Sequence, residues 1–274
     1  MLIRGDGDLR NCGEGRGRVV RAAKVLLLAL ILGSTISHAQ SQTAERHFKL
    51  LRLDGNDVRW PHEGDSFVLT YRVLDEFQSF AGARNCRSMN GFGGLLDRSS
   101  LSEAVLRSEL RAAFAMWETA ANVHFREATP GEVANILVGA QAEPEGWAFA
   151  DVFYDATVAE PVKPITRSLV CLNPQKTWKV GFDGNLSVYD LRYTLAHEIG
   201  HAIGLDHPNG AGQIMGYRYE ERFRTLQEGD VSGAIAIYGP VQGTSNVATS
   251  ANREAPVNPP VQETATRALR SKPH

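Results

Sequence analysis

The sequence predicts an α/β fold, a twisted mixed sheet layered with a few helices. Its 274 residues, 43% of them hydrophobic, suffice for one catalytic-sized core with appendages. Runs rich in β-branched and aromatic residues interleave with segments of helical periodicity, and Gly- or Pro-containing stretches separate them. The 22% of charged residues sum to a formal net charge of -2, with no block of Lys and Arg outside the first residues, which argues against nucleic acid as a partner.

Residues 1–39 are expected to be a signal peptide or leader outside the fold. Arg18, Arg21 and Lys24 precede the apolar run Val25 to Leu32, and Ser37-His38-Ala39 offers small residues before a cut near Gln40. Gly33, Ser34 and Thr35 interrupt the run before it reaches the ~20 apolar residues of a membrane anchor. Secretion or release to the periplasm is therefore expected, with no stable anchor after cleavage. Cleavage would also remove Cys12 and leave Cys86 and Cys171, an even pair that reads as a disulfide in an oxidising compartment. Two free thiols are the other reading.

Residues 40–58 form a short polar segment, too small for a folded pro-domain. Phe67 to Val73 reads as the first strand and Asn90-Gly91-Phe92-Gly93-Gly94 as a long loop. Ser100 and Glu103 have capping-box spacing, and Val105, Leu106, Leu110, Ala113, Phe114 and Trp117 recur at helical intervals, so a long amphipathic helix is expected. Val123 to Phe125, Asn135 to Gly139, Trp147 to Phe153 and Ser168 to Leu172 read as strands. Ser187 with Asp190 would cap a second helix with Leu191, Leu195 and Ile199 facing inward. Thr225 and Glu228 would cap a last one through Val231, Ile235 and Tyr238, ending near Gly239-Pro240. The Pro-, Ser-, Thr- and Asn-rich stretch 240–274 is expected to be a disordered tail, leaving 59–239 as the catalytic domain.

The chemistry concentrates in the second helix. His197 and His201, four residues apart, stand on one helical face and can share a metal. Glu198 lies about 100° round the helix, where it can reach a water rather than the metal. Gly204 permits a sharp turn, after which His207 arrives as a third ligand. Three histidines and an open fourth position suit catalytic zinc, with Glu198 as general base.

The full stretch His197-Glu198-Ile199-Gly200-His201-Ala202-Ile203-Gly204-Leu205-Asp206-His207 resembles the metzincin zinc metalloendopeptidases, whose fold is zincin-like. Ile214-Met215-Gly216-Tyr217 resembles their methionine turn, which implies that Met215 packs beneath the histidines without ligating. Within that class the chain looks most like the matrixins. Arg59-Trp60 with Leu69 to Val73, Ala113 to Trp117 and Leu226 to Gly239 are similar to their opening strand, first helix and last helix. The resemblance implies a zinc cleft beneath an edge strand, Ala148-Phe149-Ala150, that binds substrate through its main chain. It further implies that Tyr219 walls the specificity pocket; Tyr217 instead matches a tyrosine that astacins and serralysins place near the zinc.

The departures narrow the expectation. Trp147 and the run Arg167 to Leu172 stand where animal matrixins carry structural-metal ligands, and His38, His47, His62, His124 and His274 form no ligand spacing. One zinc is expected; calcium has no supporting ligand pattern. In some relatives a pro-segment cysteine latches the zinc, but Arg84-Asn85-Cys86-Arg87 does not resemble that inhibitory motif; a Cys86–Cys171 bond could instead brace the loop that lost its metal. The expected function is a secreted, monomeric zinc endopeptidase acting on polypeptides. The alternatives are a zinc-holding adhesion module without turnover and a hydrolase of a non-protein amide such as a cell-wall crosslink.

Overall fold

A computed structural model describes residues 47–62 and 67–241. The expected leader and the expected tail from 242 onward lie outside the described residues. Along the chain come strands β1 (Lys49–Leu50), β2 (Arg52–Leu53), β3 (Asn56–Arg59), β4 (Val68–Val73), β5 (Gln78–Ser79) and β6 (Ser88–Asn90). Helices α1 (Gly93–Ser99) and α2 (Glu103–Ala120) follow, then β7 (His124–Glu127), β8 (Ile136–Gln141), β9 (Ala148–Tyr154), β10 (Val162–Leu172), β11 (Trp178–Lys179) and β12 (Tyr189–Asp190). Helix α3 (Leu191–Ala202), strand β13 (Leu205–Asp206) and helix α4 (Glu228–Tyr238) complete the order. No helix among the described residues is long and apolar enough to cross a membrane.

The main sheet runs β2-β3-β10-β8-β4-β7, and the pairs β3/β10, β10/β8, β8/β4 and β4/β7 are parallel. A parallel strand covered on both faces reads as a continuous apolar run, and Ser168 to Leu172 of β10 is buried throughout. Its alternate side chains serve two clusters. Val170 and Leu172 join the large core shared with α2, α3 and α4, while Leu169 and Cys171 face a smaller one with Leu74, Phe80, Cys86 and Met89. Cys86 and Cys171 are disulfide-bonded there, both fully buried, with Cα atoms 5.8 Å apart. Strand β9 pairs antiparallel with β10 alone among the described strands, so its other edge is bare.

Three expectations require correction. The Asn90 to Gly94 stretch is not a long loop, because Leu95, fully buried, draws Gly93–Ser99 into a helix; the long helix is therefore the second. Ser100 does not cap it. Ser100 ends α1 in the left-handed region at φ 54°, and Ser102 caps α2 by accepting from Val105 N at 3.3 Å. In α4 the capping box is Gln227 with Asp230, two residues after the expected pair, and Ile235 is partly exposed while Ala234, Ile237 and Tyr238 are buried.

The segment 49–59 is woven into the fold: β1 pairs with β13, and β3 pairs with β10.

Candidate metal centre

Helix α3 positions two of the three histidines, and its start is set by side chains. The expected pairing of Ser187 with Asp190 does not cap it; Asp190 is itself the N-cap, its carboxylate accepting from Tyr193 N at 2.8 Å as the first turn needs. Leu191, Leu195 and Ile199 are fully buried. The carbonyls at the other end, which a helix leaves without partners, are taken up from outside. Trp60 Nε1 and Ser168 Oγ both donate to Ala202 O at 2.9 Å, and the Tyr238 hydroxyl donates to Ile203 O at 2.6 Å. Six residues before Ala202, Trp117 Nε1 donates to Ala196 O at 2.9 Å.

Gly204 then turns the chain with φ 106°, a conformation L side chains avoid, while a Cβ there would come 3.0 Å from Val58 O. His207 is brought back against the helix. Asp206 holds it by accepting from His207 N at 2.7 Å, and Lys49 of β1 pairs with Asp206 at 2.6 Å.

The Nε2 atoms of His197, His201 and His207 lie 3.0 to 3.2 Å apart. His197 Nδ1 faces Ile214 O at 2.7 Å and His201 Nδ1 faces Leu205 O at 2.8 Å, so each Nδ1 carries the proton and donates it. Both Nε2 atoms then point lone pairs inward. Lone pairs so close repel unless a cation lies among them, and tetrahedral ligands 2.0–2.1 Å from zinc would be about 3.3 Å apart. The donor set therefore fits zinc, and the three histidines can hold a metal ion.

Electrostatics agree. Burial lowers the pKa of all three imidazoles, His201 to about 4, which keeps them neutral and fit to ligate at neutral pH. Glu198, buried beside them, is pushed up to about 8 by burial and by the charge of Asp151.

Met215 lies beneath the helix: a Cβ on Gly200 would collide with its Sδ and with Trp117 Cζ2. Its turn is fixed by Asp230, nearly fully buried, which accepts from Ile214 N and Met215 N at 2.9 Å and from Gln227 N at 2.8 Å.

The remaining predicted residues divide. Tyr217 is 74% exposed with its ring edge-on to His207, 5.2 Å between centroids. Tyr219 meets no histidine ring; it packs edge-to-face on Tyr193 at 5.0 Å and stacks on Tyr189 at 4.2 Å. Ala148 and Ala150 pack toward the large core, while Phe149 turns to the opposite cluster, so the β9 backbone lies alongside α3 with its alternate side chains divided between the faces.

Sequence reasoning missed Tyr193, Asp230 and the stack of Trp147 on Tyr189 at 3.9 Å. Tyr193 was findable, since it precedes His197 by four residues and so shares its face. The stack joins residues 42 positions apart and carries no local signal.

The sequence around this geometry is similar to that of known proteins. The sequence pattern of the matrixin family matches residues 95–239. The chain is 30% identical over 147 residues to Metalloendoproteinase 1-MMP of Arabidopsis thaliana, covering 51% of this chain and 40% of that protein. It is 25% identical over 179 residues to Serralysin of a Photorhabdus species, covering 63% and 32%, and 24% identical over 193 residues to human Matrix metalloproteinase-23, covering 66% and 43%. The chain thus spans less than half the length of these curated relatives.

Proposed function

This chain belongs to the matrixin family, and on that premise we propose that it is an exported zinc-dependent endopeptidase hydrolysing polypeptides. The observation that carries the reading is the convergence of three Nε2 atoms within 3.2 Å, two of them with Nδ1 committed to a backbone carbonyl. His197, His201 and His207 would hold the ion. Bound there, zinc would polarise the scissile carbonyl and the attacking water, and its charge would pull Glu198 back toward the ionised form.

Glu198 then acts as general base: its carboxylate accepts a proton from the attacking water and returns it to the departing amine. Burial favours the protonated form of Glu198 and the zinc charge the ionised one, so the two together suit it to take up a proton and release it. The bare edge of β9, at Ala148-Phe149-Ala150, receives the peptide as an added antiparallel strand, which needs main-chain groups and little sequence. Met215 supports the histidines from below, and the exposed Tyr217 hydroxyl is free to swing toward the reacting carbonyl. Residues 59–239 form the catalytic domain, with 49–58 as its N-terminal strap.

Chelator-sensitive cleavage of casein by the purified protein, restored by zinc, is the expected result. A zinc-loaded protein that cleaves no polypeptide would sink the reading and favour a binding module.

A further inference from the structure

The loop after the methionine turn is held by an arrangement that the zinc chemistry does not use. The Glu221 side chain, 5% exposed, takes four donors: Asp183 N at 3.0 Å, Gly184 N at 2.6 Å, the Tyr219 hydroxyl at 2.8 Å and Lys179 Nζ at 2.5 Å. A carboxylate has about four acceptor sites, so its capacity is filled. The Lys179 ammonium, 13% exposed, also reaches the Asp183 carboxylate and Asn185 O. One cation and one anion therefore tie the loop 219–221 to the strap 179–185.

The clamp ends on Tyr219. Its hydroxyl donates to Glu221 and accepts from Asp190 N at 2.9 Å, which fixes the ring against rotation out of its place. The ring sits on Tyr193, one helical turn before His197, and ends a ladder of Trp147, Tyr189 and Tyr219 that reaches back to the start of β9. On the endopeptidase reading, a peptide laid along β9 with a bond at the three histidines would present a neighbouring side chain to this aromatic surface, whose Trp147 end directly precedes β9. A fixed ring there limits that side chain by size, whereas a loose ring yields to larger ones.

We propose that Glu221, with Lys179 as its counter-ion, is a specificity-positioning residue: the pair holds the Tyr219 ring as a rigid apolar wall that selects limited-size apolar residues adjoining the cleaved bond. This rests on the endopeptidase reading.

The test compares kcat and KM of the zinc-loaded full chain, Lys179→Met and Tyr219→Phe on peptides differing only at the positions flanking the bond. Wild type is expected to prefer leucine-sized over tryptophan-sized residues on one side. In Lys179→Met that preference should fall at least fivefold, by a change in KM for the large residue with kcat within twofold. Tyr219→Phe, which keeps the ring and loses both hydrogen bonds that fix it, should show a fall at least as large. A folded Lys179→Met whose preference stays within twofold of wild type overturns the proposal; if that variant does not fold, Tyr219→Phe decides by the same criterion. Absence of turnover in the wild type overturns the endopeptidase reading and this inference with it, whereas turnover with an unmoved preference overturns this inference alone.

Discussion

The metal-facing segment 191–215 and the wall 217–224 lie next to one another in sequence, yet they are held in opposite ways. The first is fixed mainly through its backbone: Trp60, Ser168 and Tyr238 take its terminal carbonyls and Asp230 takes two of its amides, with the Lys49–Asp206 and Arg192–Glu109 pairs added. The second is fixed through charged side chains. Arg224 pairs with Asp190 at 2.8 Å and with Glu109 at 2.6 Å, and Lys179 pairs with Glu221. Backbone anchoring leaves the ligating side chains free for a metal. Ion pairs, by contrast, spend the side chains themselves, so a single substitution in 217–224 removes an anchor outright.

If this division holds, damage to the first region should abolish chemistry and damage to the second should alter stability or selection. The largest effect is expected from Glu198→Ala: loss of a general base costs about 10²–10⁴-fold in rate, and kcat should fall in that range with one zinc still bound. Metal content and turnover on the same sample check it. Retained turnover would make the two regions chemically equivalent.

Gly200→Ala comes next. Its Cβ would strike Met215 and Trp117, and overpacking of this kind costs about 2–3 kcal/mol. A lowered denaturation midpoint with weakened zinc affinity is expected, because the turn beneath the histidines must shift. Unchanged zinc affinity would separate Met215 from the ligand frame.

In the wall, Arg224→Ala strips Asp190, fully buried, of its cation, while Glu109 keeps Arg192. Breaking a buried pair by removing one partner costs about 3–5 kcal/mol; Arg224 is a quarter exposed, so a loss of about 2 kcal/mol is expected. Zinc affinity should change less than in Gly200→Ala. Equal losses of zinc in the two variants would erase the contrast.

The smallest effect is in pH. Burial, and secondarily the neighbouring His207, lowers His201 to about 4 in the metal-free fold from the ordinary value of about 6.5 that it regains when unfolded. The unfolded chain therefore binds a proton first, and this stability contribution is present above pH 6.5 and lost as pH falls toward 4. Thermal melts of metal-free protein should show the midpoint falling across that window, and His201→Asn should flatten the slope. A slope unaltered by the substitution would assign the acid loss elsewhere.

The contrast also explains what was legible. The spacing of His197, His201 and His207, the turn at Gly204 and the inward Leu191, Leu195 and Ile199 are local patterns of period or offset, and the structure has them together. The helix caps were harder. Ser100 and Ser102 both have capping chemistry, and only the packing of Leu95, which extends α1 to Ser99, decides between them. Likewise Thr225 competes with Gln227, and the choice goes to the residue whose N3 partner, Asp230, is already held by the methionine turn. The aromatic ladder and the Lys179–Glu221 clamp join residues that no periodicity relates, so they emerge only when the chain is folded.

The central claim is an open site of three imidazole nitrogens on one zinc. Zinc-edge X-ray absorption on the full protein tests it most directly. Three nitrogen neighbours at about 2.0–2.1 Å with one further oxygen, at one zinc per chain, is the predicted result; a sulfur neighbour or a fourth protein nitrogen would contradict it.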